Sequence, residues 1–442
     1  MLISTLRQQL AIHTPQQTDF LIGLSGGVDS VVLLHLLCQL RQENPLNLRA
    51  IHIHHGLSSN ADSWAEFCQH LCGEWQVPLT VCKVNVSGKQ GIEANARQAR
   101  YQAIAQHIQP NEMLVTAHHL DDQVETFFLA LKRGSGITGL SAMKTVSSWG
   151  KEMWEENARN NTLQEFTIFR PLLTSPKSAI QAYAVTHCLE WINDESNADS
   201  RYERNFLRND ILPLLNQRWQ QFDQMVARAA QHCAEQQQLV EELLNDELHA
   251  RLNLAERRFN IEEFNQLSHL KQQQLIRLWL EKCQMPMPSQ IQLEQIITNV
   301  IFAEQDKNPE FRLADKMLRR YQKHLFITEI FADTPPFEQM LLAKQADEFT
   351  LPENIGTLVR TSDALIFRKK SGQTHRLLLP TALQQEPLTI KLNYRGKVPL
   401  YPHSKREEMK KIWQKNNVPV WERTRTPLVF FNQQLVAVLT TP

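Results

Sequence analysis

A doubly wound parallel α/β sheet is the fold that residues 1–212 predict, followed by a helical domain over 213–330 and a small basic α+β domain over 337–442. Three observations predict it. Short apolar runs recur about every thirty residues, helical periodicity fills the gaps between them, and a Ser/Gly hexapeptide stands between the first run and the first helix.

In chain order, the first strand is expected at Phe20–Leu24 and the first helix at Val31–Leu40. Strands at Leu48–Ile53, Leu79–Val84 and Met113–Ala117 alternate with helices at Ala61–Glu74 and Ile92–His107. Within the latter, Ile92, Ala96, Ala99 and Ala103 recur at helical spacing and would face a sheet. A helix over Val124–Leu131 would bury Val124, Phe127, Phe128 and Leu131; a strand at Thr167–Leu172 then leads into a helix at Lys177–Trp191. Repeated βα units of this length imply parallel pairing, with ligands outside the carboxyl ends of the strands. From about residue 212 the chain turns Gln-rich and helical. Leu214–Leu252 would carry Trp219, Phe222, Met225, Val226 and Ala229 on one face, with further helices at Ile261–Cys283 and Ser289–Gln305, the last N-capped by Ser289. Thr334-Pro335-Pro336 reads as a linker. Strand-like runs at Thr357–Thr361, Ala364–Arg368, Arg376–Leu379 and Leu388–Leu392 give the last domain its α+β character. Lys151–Gln164 has no sustained period and reads as an exposed insertion.

The composition excludes several classes. No apolar run exceeds about five residues, against the ~18 or more that span a bilayer, so no membrane partner is expected. The amino terminus lacks the apolar core of a signal peptide. Seven scattered cysteines suit a reduced cytoplasm rather than a disulfide framework. Formal charge is zero, but residues 1–215 carry 17 Lys/Arg against 21 Asp/Glu, whereas residues 391–442 carry 10 against 3. The tail is therefore basic, and a phosphate-rich partner becomes plausible.

Ser25-Gly26-Gly27-Val28-Asp29-Ser30 carries the strongest chemical signal. Its glycines let successive N–H groups converge on an anion, and the following helix aims its positive end at the same point. Ser25 and Ser30 add hydroxyl donors, and Asp29 supplies a hard oxygen for Mg²⁺ beside a polyphosphate. There is no Walker lysine. The hexapeptide resembles the PP-loop of N-type ATP pyrophosphatases, which cleave ATP between its α and β phosphates and adenylate an oxygen of the substrate.

Further segments narrow the resemblance: Ile51-His52-Ile53-His54-His55-Gly56-Leu57-Ser58; Glu93, Arg97 and Arg100 on one helix face; His118-His119-Leu120-Asp121-Asp122-Gln123; and Trp191-Ile192-Asn193-Asp194-Glu195-Ser196-Asn197, followed by Arg204-Asn205-Phe206-Leu207-Arg208. Together, over about residues 18–215, they are similar to the tRNA(Ile)-lysidine synthetase family; a weaker likeness covers Arg406 to Phe430. The resemblance implies ATP-dependent ligation of free L-lysine to C2 of the wobble cytidine in a tRNA(Ile) with a CAU anticodon, through an adenylated base. Asp29 would place the metal, and Arg97 or Arg100 would neutralise charge on the α-phosphate. Asp121, Asp122 or Asp194 would bind the ammonium and accept its proton, with His119 as the alternative acid or base; His119 and Asp122 are favoured because they leave a strand's carboxyl end. Asn197 and Asn205 fall in the substrate-binding stretches, and Arg204 and Arg208 would grip anticodon phosphates or the adenylate.

Two rivals stay open: a tRNA thiolase using the same adenylation with sulfur as nucleophile, and a non-catalytic sensor of ATP and RNA. The thiolase usually needs paired cysteines, and no C-x-x-C occurs. His52, His54 and His55 are read as structural, and Cys68 with Cys72 as packing residues. In the tail, Ser404 and Glu407 form a capping-box pattern ahead of a helix that buries Met409, Ile412 and Trp413. Arg406, Lys410, Lys411 and Lys415 would face outward, with Trp421 and Arg423 continuing a basic–aromatic mix suited to tRNA. The oligomeric state stays open, a dimer among the options.

Overall fold

A computed structural model describes residues 2–56, 60–85, 92–149, 165–304, 307–342, 348–370, 372–400 and 405–440, with side chains omitted at 92–94. The expected insertion at 151–164 and the expected cap at Ser404 lie outside these residues. The chain divides into two compact units, Met1–Leu243 and Leu244–Pro442.

The first unit holds α1 (Leu2–His13), β1 (Asp19–Gly23), α2 (Val28–Arg41), β2 (Asn47–His54), α3 (Ala61–Glu74), β3 (Leu79–Lys83), α4 (Ile92–His107), β4 (Met113–Val115), α5 (Leu120–Lys132), α6 (Ile137–Leu140), β5 (Val146–Trp149), β6 (Phe166–Phe169), α7 (Lys177–Thr186), α8 (Glu203–Phe206), α9 (Leu212–Arg218) and most of α10 (Phe222–Arg251). Its sheet has the order β3-β2-β1-β4-β6-β5. The first five of these strands pair in parallel, as the spacing predicts; β5 is an antiparallel edge strand that periodicity did not announce. Apolar residues of α1, α2, α3 and α7 cover one face, and Tyr101, Ile104 and Ala105 of α4, with Ile108 just after it, cover the other. Strand order reverses between β1 and β4. The crevice outside their carboxyl ends is where such a sheet binds ligands.

Three expectations are corrected here. Leu131 is 52% exposed, because the stripe of α5 that packs inward is set by Val124 and the carboxylate of Glu125. The helix expected over Lys177–Trp191 ends at Thr186, where Cys188 takes a left-handed backbone and Leu189 N–H bonds back to the Ala184 carbonyl. The helix expected over Leu214–Leu252 is broken between α9 and α10 by a left-handed Gln221, and Trp219, at the break, is exposed and lies against Phe222 instead of joining a buried face; Met225 is exposed too.

The second unit begins inside α10 and continues with β7 (Leu252–Asn253), β8 (Arg258–Asn260), α11 (His269–Lys282), α12 (Gln290–Gln295), β9 (Glu310–Leu313), β10 (Lys316–Tyr321) and β11 (His324–Glu329). The helices expected in this region share it with a five-stranded sheet, β7-β8-β11-β10-β9. Pairing of Arg258–Asn260 with β11 explains why the helix expected from Ile261 starts only at His269, capped by the Ser268 hydroxyl. Ser289 caps α12 as expected. Then come β12 (Phe337–Leu341), β13 (Glu348–Thr350), β14 (Gly356–Arg360), β15 (Ala364–Lys369), β16 (Thr374–Leu378), α13 (Thr381–Gln384), β17 (Leu388–Leu392), β18 (Lys397–Val398), β19 (Glu407–Glu408), α14 (Met409–Lys415), β20 (Leu428–Phe431) and β21 (Gln434–Val438). They form two four-stranded sheets and a short ladder. The linker at 334–336 separates β11 from β12. Met409, Ile412 and Trp413 are buried as expected, but α14 takes Glu408 as its N-cap while the Glu407 carboxylate accepts from Lys415 at 2.7 Å, so Glu407 does not complete a capping box.

Candidate active site

The hexapeptide falls between β1 and α2 at the point where strand order reverses. Gly26 sits at φ +88°, and a Cβ there would lie 2.5 Å from Ile192 Cδ1, so both conformation and space demand glycine. Ser30 holds the turn: its Oγ donates to the Gly27 carbonyl at 2.9 Å and accepts from Ser25 N–H at 3.2 Å, with Ser25 Oγ 3.1 Å away. Gly27 is the N-cap of α2 with no side-chain partner for the helix end, leaving the N–H groups that open at Val28 without a side-chain cap. Ile192 N–H donates to the Gly26 carbonyl at 2.9 Å, which ties the Trp191–Asn197 stretch onto the back of the loop.

Asp29, in the first turn of α2, faces the end of β4. His119 is 2% exposed and has three carboxylates around its ring: Nε2 lies 3.7 Å from Asp29 Oδ2 and 3.5 Å from Asp122 Oδ2, and Nδ1 lies 3.6 Å from Asp121 Oδ1. Burial disfavours its charge, but Asp121, Asp29 and Asp122 outweigh burial and push its pKa up to about 10. His119 is therefore an imidazolium at neutral pH.

Burial opposes ionisation of Asp121 and Asp122 as well, yet His119 and neighbouring donors hold both below the usual carboxylate range. In metal-free buffer these shifts shape stability against pH. The His119 contribution is complete below its ordinary value of about 6.5 and is lost as pH rises through about 10; the Asp121 and Asp122 contributions are lost as pH falls below the ordinary aspartate range. The melting temperature should therefore decline from pH 6.5 toward 10, and His119→Gln should flatten that alkaline slope. A slope unchanged by the substitution would refute the assignment.

Next to this cluster is a residue that sequence reasoning missed. Glu125 is 0% exposed, and its carboxylate accepts from Arg204 Nε at 2.7 Å, Arg208 Nε at 2.6 Å and Arg208 Nη2 at 2.9 Å. Arg208 also reaches Asp122 Oδ1 at 3.2 Å. Asp121 and Asp122 lie four and three residues before Glu125, so carboxylates at i, i+1 and i+4 along an otherwise apolar helix were the available signal. Arg204 and Arg208 are thus held by protein carboxylates.

The remaining expected residues are dispersed around this core. Asp121 Oδ1 accepts from Lys177 N–H at 3.0 Å and so also fixes the start of α7. Asp194 Oδ1 accepts from Ser196 N–H at 2.9 Å; Asn205 Nδ2 donates to the Ser196 and Asp199 carbonyls at 2.8 and 3.0 Å; the Asn197 carbonyl accepts from Asn209. These contacts brace the turn behind the loop. Arg97, exposed, places its guanidinium 5.1 Å over the Tyr101 ring. Arg100 stands beside His55, whose ring is pushed down to about 4 by burial and then by that charge. His52 bonds the Leu24 carbonyl at 2.9 Å and His54 meets Asp62 at 3.2 Å, as structural histidines do.

In the second unit, Arg406, Lys410, Lys411 and Lys415 are exposed. Trp421 is half-buried against Phe326 and Tyr321 with Arg319 over its ring, and Arg423 Nε donates to the Val418 carbonyl at 3.3 Å.

The donor chemistry fits a divalent cation at Asp29. Its Oδ1 is buried and has no hydrogen-bond partner among the described residues, a hard oxygen beside the loop that would receive phosphates. Mg²⁺ is commonly held by one or two carboxylates plus substrate phosphates.

Comparison with known proteins agrees with this geometry. A PP-loop domain family model matches residues 3–215, a TilS substrate binding domain model matches 259–326, and a TilS substrate C-terminal domain model matches 388–441. The tRNA(Ile)-lysidine synthase of Actinobacillus pleuropneumoniae serotype 3 (strain JL03) is 56% identical over 438 residues, covering 99% of this chain and 100% of that protein. The protein of that name from Haemophilus ducreyi is 53% identical, covering 100% and 98%; the one from Haemophilus influenzae (strain 86-028NP) is 47% identical, covering 98% and 96%.

Proposed function

The chain belongs to the tRNA(Ile)-lysidine synthase family, and from that premise we propose how its residues perform the reaction: ATP adenylates the C2 oxygen of the wobble cytidine in tRNA(Ile), and the ε-amine of free lysine then displaces AMP. The observation that carries the reading is the meeting of two features at one sheet edge. A glycine loop suited to a pyrophosphate faces a cluster of carboxylates suited to an ammonium.

In the first step the N–H groups and hydroxyls of Ser25 to Ser30 hold the departing pyrophosphate. Mg²⁺ held by Asp29 would offset phosphate charge as it develops. Arg97 or Arg100 balances the α-phosphate. In the second step lysine must lose a proton, since its free amine has a pKa of ~10.4. Asp122, flanked by Glu125, receives the ammonium and then the proton, while the His119 imidazolium keeps neighbouring carboxylates ionised. Arg204 and Arg208 set the position of those carboxylates, and Asp121, Asp194, Asn197 and Asn205 shape the rim that meets the anticodon.

Sulfur transfer is disfavoured at three of the buried thiols. Burial pushes Cys38 up to about 11 and Cys68 and Cys72 up to about 12, far from the thiolate that attack requires. Among the described residues no helix is long and apolar enough to cross a membrane. We assign the activity to the cytoplasm, where tRNA is modified, and keep the division into 1–212, 213–330 and 337–442 as the working description of its domains. Incubation with ATP, lysine and a CAU-anticodon tRNA should raise the mass of the wobble base by one lysyl addition; an unchanged base mass would refute the function.

The basic tail is assigned to the tRNA body. Among the described residues Arg406, Lys410 and Lys411 make no ion pair, whereas Lys415 meets Glu407. Reversing Arg406, Lys410 and Lys411 to Glu should weaken tRNA binding and flatten the dependence of log affinity on log salt by roughly 0.9 for each phosphate no longer neutralised. An unchanged affinity and slope would mean that these are ordinary surface lysines and arginine.

A further inference from the structure

Within the second unit, a cluster of rings and guanidinium groups joins the sheet β7-β8-β11-β10-β9 to the basic tail. Trp421 sits in a single 3₁₀ turn, Val420–Glu422, behind Pro419. Its ring meets Phe326 of β11 with centroids 5.4 Å apart and Tyr321 of β10 at 6.2 Å, at interplanar angles of 63° and 82°. Such edge-on pairs are the arrangement that aromatic quadrupoles favour. Arg319 of β10 places its guanidinium 5.7 Å from the Trp421 ring and 5.5 Å from that of Phe331. Arg425 closes the cluster from the tail side, 4.4 Å over Phe331. Beside it, Gln322 Nε2 in the turn between β10 and β11 donates to Asn417 Oδ1 at 3.1 Å. Arg319, Tyr321 and Phe326 belong to residues 259–326, and Trp421 and Arg425 to residues 388–441, segments that match separate family models.

The polar groups of the cluster are engaged by the protein. Arg319 Nε donates to the Glu310 carboxylate at 3.2 Å, and its Nη1 donates to Thr328 Oγ1 and the Glu329 carbonyl. Trp421, Tyr321, Phe326 and Phe331 are all half-buried. The cations of α14 differ: Arg406, Lys410 and Lys411 are exposed. The two regions are nonetheless mechanically joined. Arg423 Nε donates to the Val418 carbonyl, and Val418 is buried with Met409, Ile412 and Trp413 of α14. Whatever fixes Trp421 therefore fixes the helix that carries Lys410 and Lys411.

We propose that Trp421 is a positioning residue for tRNA binding, one that docks residues 388–441 onto residues 259–326 so that both meet one tRNA as a single surface. It acts through Phe326, Tyr321 and Arg319, not by stacking on a base. Without the dock, the tail is joined to the sheet only through the chain between residues 331 and 388, and ordering it on the RNA costs affinity. This rests on the reading that the tail holds the tRNA body.

The test is steady-state lysine transfer by the full chain at saturating ATP and lysine, with tRNA varied. Trp421→Ala should raise KM for tRNA roughly 10-fold, a part of the 10²–10⁴ that linking two binding modules can add, while kcat at saturating tRNA moves far less. The dependence of log KM on log salt should keep its slope, because no phosphate contact is removed. Trp421→Phe, which keeps a ring for Phe326 and Arg319, should restore most of the affinity. Phe326→Leu should raise KM as well, and combined with Trp421→Ala it should add little, since both remove the same contact. Effects that multiply would mean that the Trp421 ring touches RNA independently, and would overturn the proposal. So would an unchanged KM in Trp421→Ala or, if that variant does not fold, in Phe326→Leu. The charge reversal at Arg406, Lys410 and Lys411 separates the two readings. If it weakens tRNA binding and loss of the ring does not, the dock alone falls; if it changes nothing, the tail reading falls with it.

Discussion

Asp29→Ala abolishes tRNA-dependent release of pyrophosphate from ATP while leaving tRNA binding within a few-fold of the original. Asp29 contributes a buried oxygen that has no hydrogen-bond partner among the described residues, in the loop that would hold phosphates. A carboxylate in that position is left unsatisfied unless a cation meets it. Removing it leaves the polyphosphate with loop N–H groups but no divalent counter-charge, and losses of about 10²–10³ are typical when a single stabilising donor is removed from such a site. The loss should exceed that, because a whole ion goes with the side chain. Binding of tRNA should be spared, because the residues proposed to hold the tRNA body do not include Asp29. Pyrophosphate release at the original rate would end the metal assignment. Magnesium titration gives an independent check, since Asp29→Asn should need far more Mg²⁺ for half-maximal release.

Glu125→Gln should unfold the first unit more easily and stop lysine transfer. The carboxylate is fully buried and receives three guanidinium hydrogen bonds from Arg204 and Arg208. The change is nearly isosteric, so any loss reports charge rather than volume. It leaves two cations beside a neutral amide, and breaking a buried pair in this way costs about 3–5 kcal/mol. For a unit of this size that corresponds to a fall in melting temperature of roughly 6–20 °C. Pairing it with Arg208→Met should recover part of the loss, because one unmatched charge is then removed; strict additivity of the two would show that they do not interact. A melting temperature within about a degree of the original would mean that the network contributes nothing net, as some buried pairs do.

Much of this was legible in the residues themselves, and the reasons are local. A turn that needs φ +88° and leaves no room for a Cβ can be recognised from Gly26 and Gly27 between a strand and a helix, because backbone geometry depends on near neighbours. The parallel order of the first sheet followed from the spacing of its strands, and the Ser289 cap from a short-range hydrogen-bond rule. The failures have a common cause as well. Short amphipathic stretches such as Arg258–Asn260 and Lys316–Tyr321 become strands through partners far along the chain, and periodicity over a few residues does not separate them from helix. Trp219 and Leu131 looked like core by type and spacing; they are exposed because a helix break and a charged network define what packs inward.

The sequence by itself determined the anion-binding loop, the order of βα units, the family and the reaction that comes with it, since these rest on contiguous motifs whose geometry is local. Tertiary structure alone decided the state of the charges. It placed His119 among three carboxylates that favour its protonated form, and enclosed Glu125 between two arginines. Coulomb interactions and desolvation depend on distance and burial in space, not on separation along the chain. Residues 119 and 29, or 125 and 208, acquire their chemistry only when the fold brings them within a few ångströms.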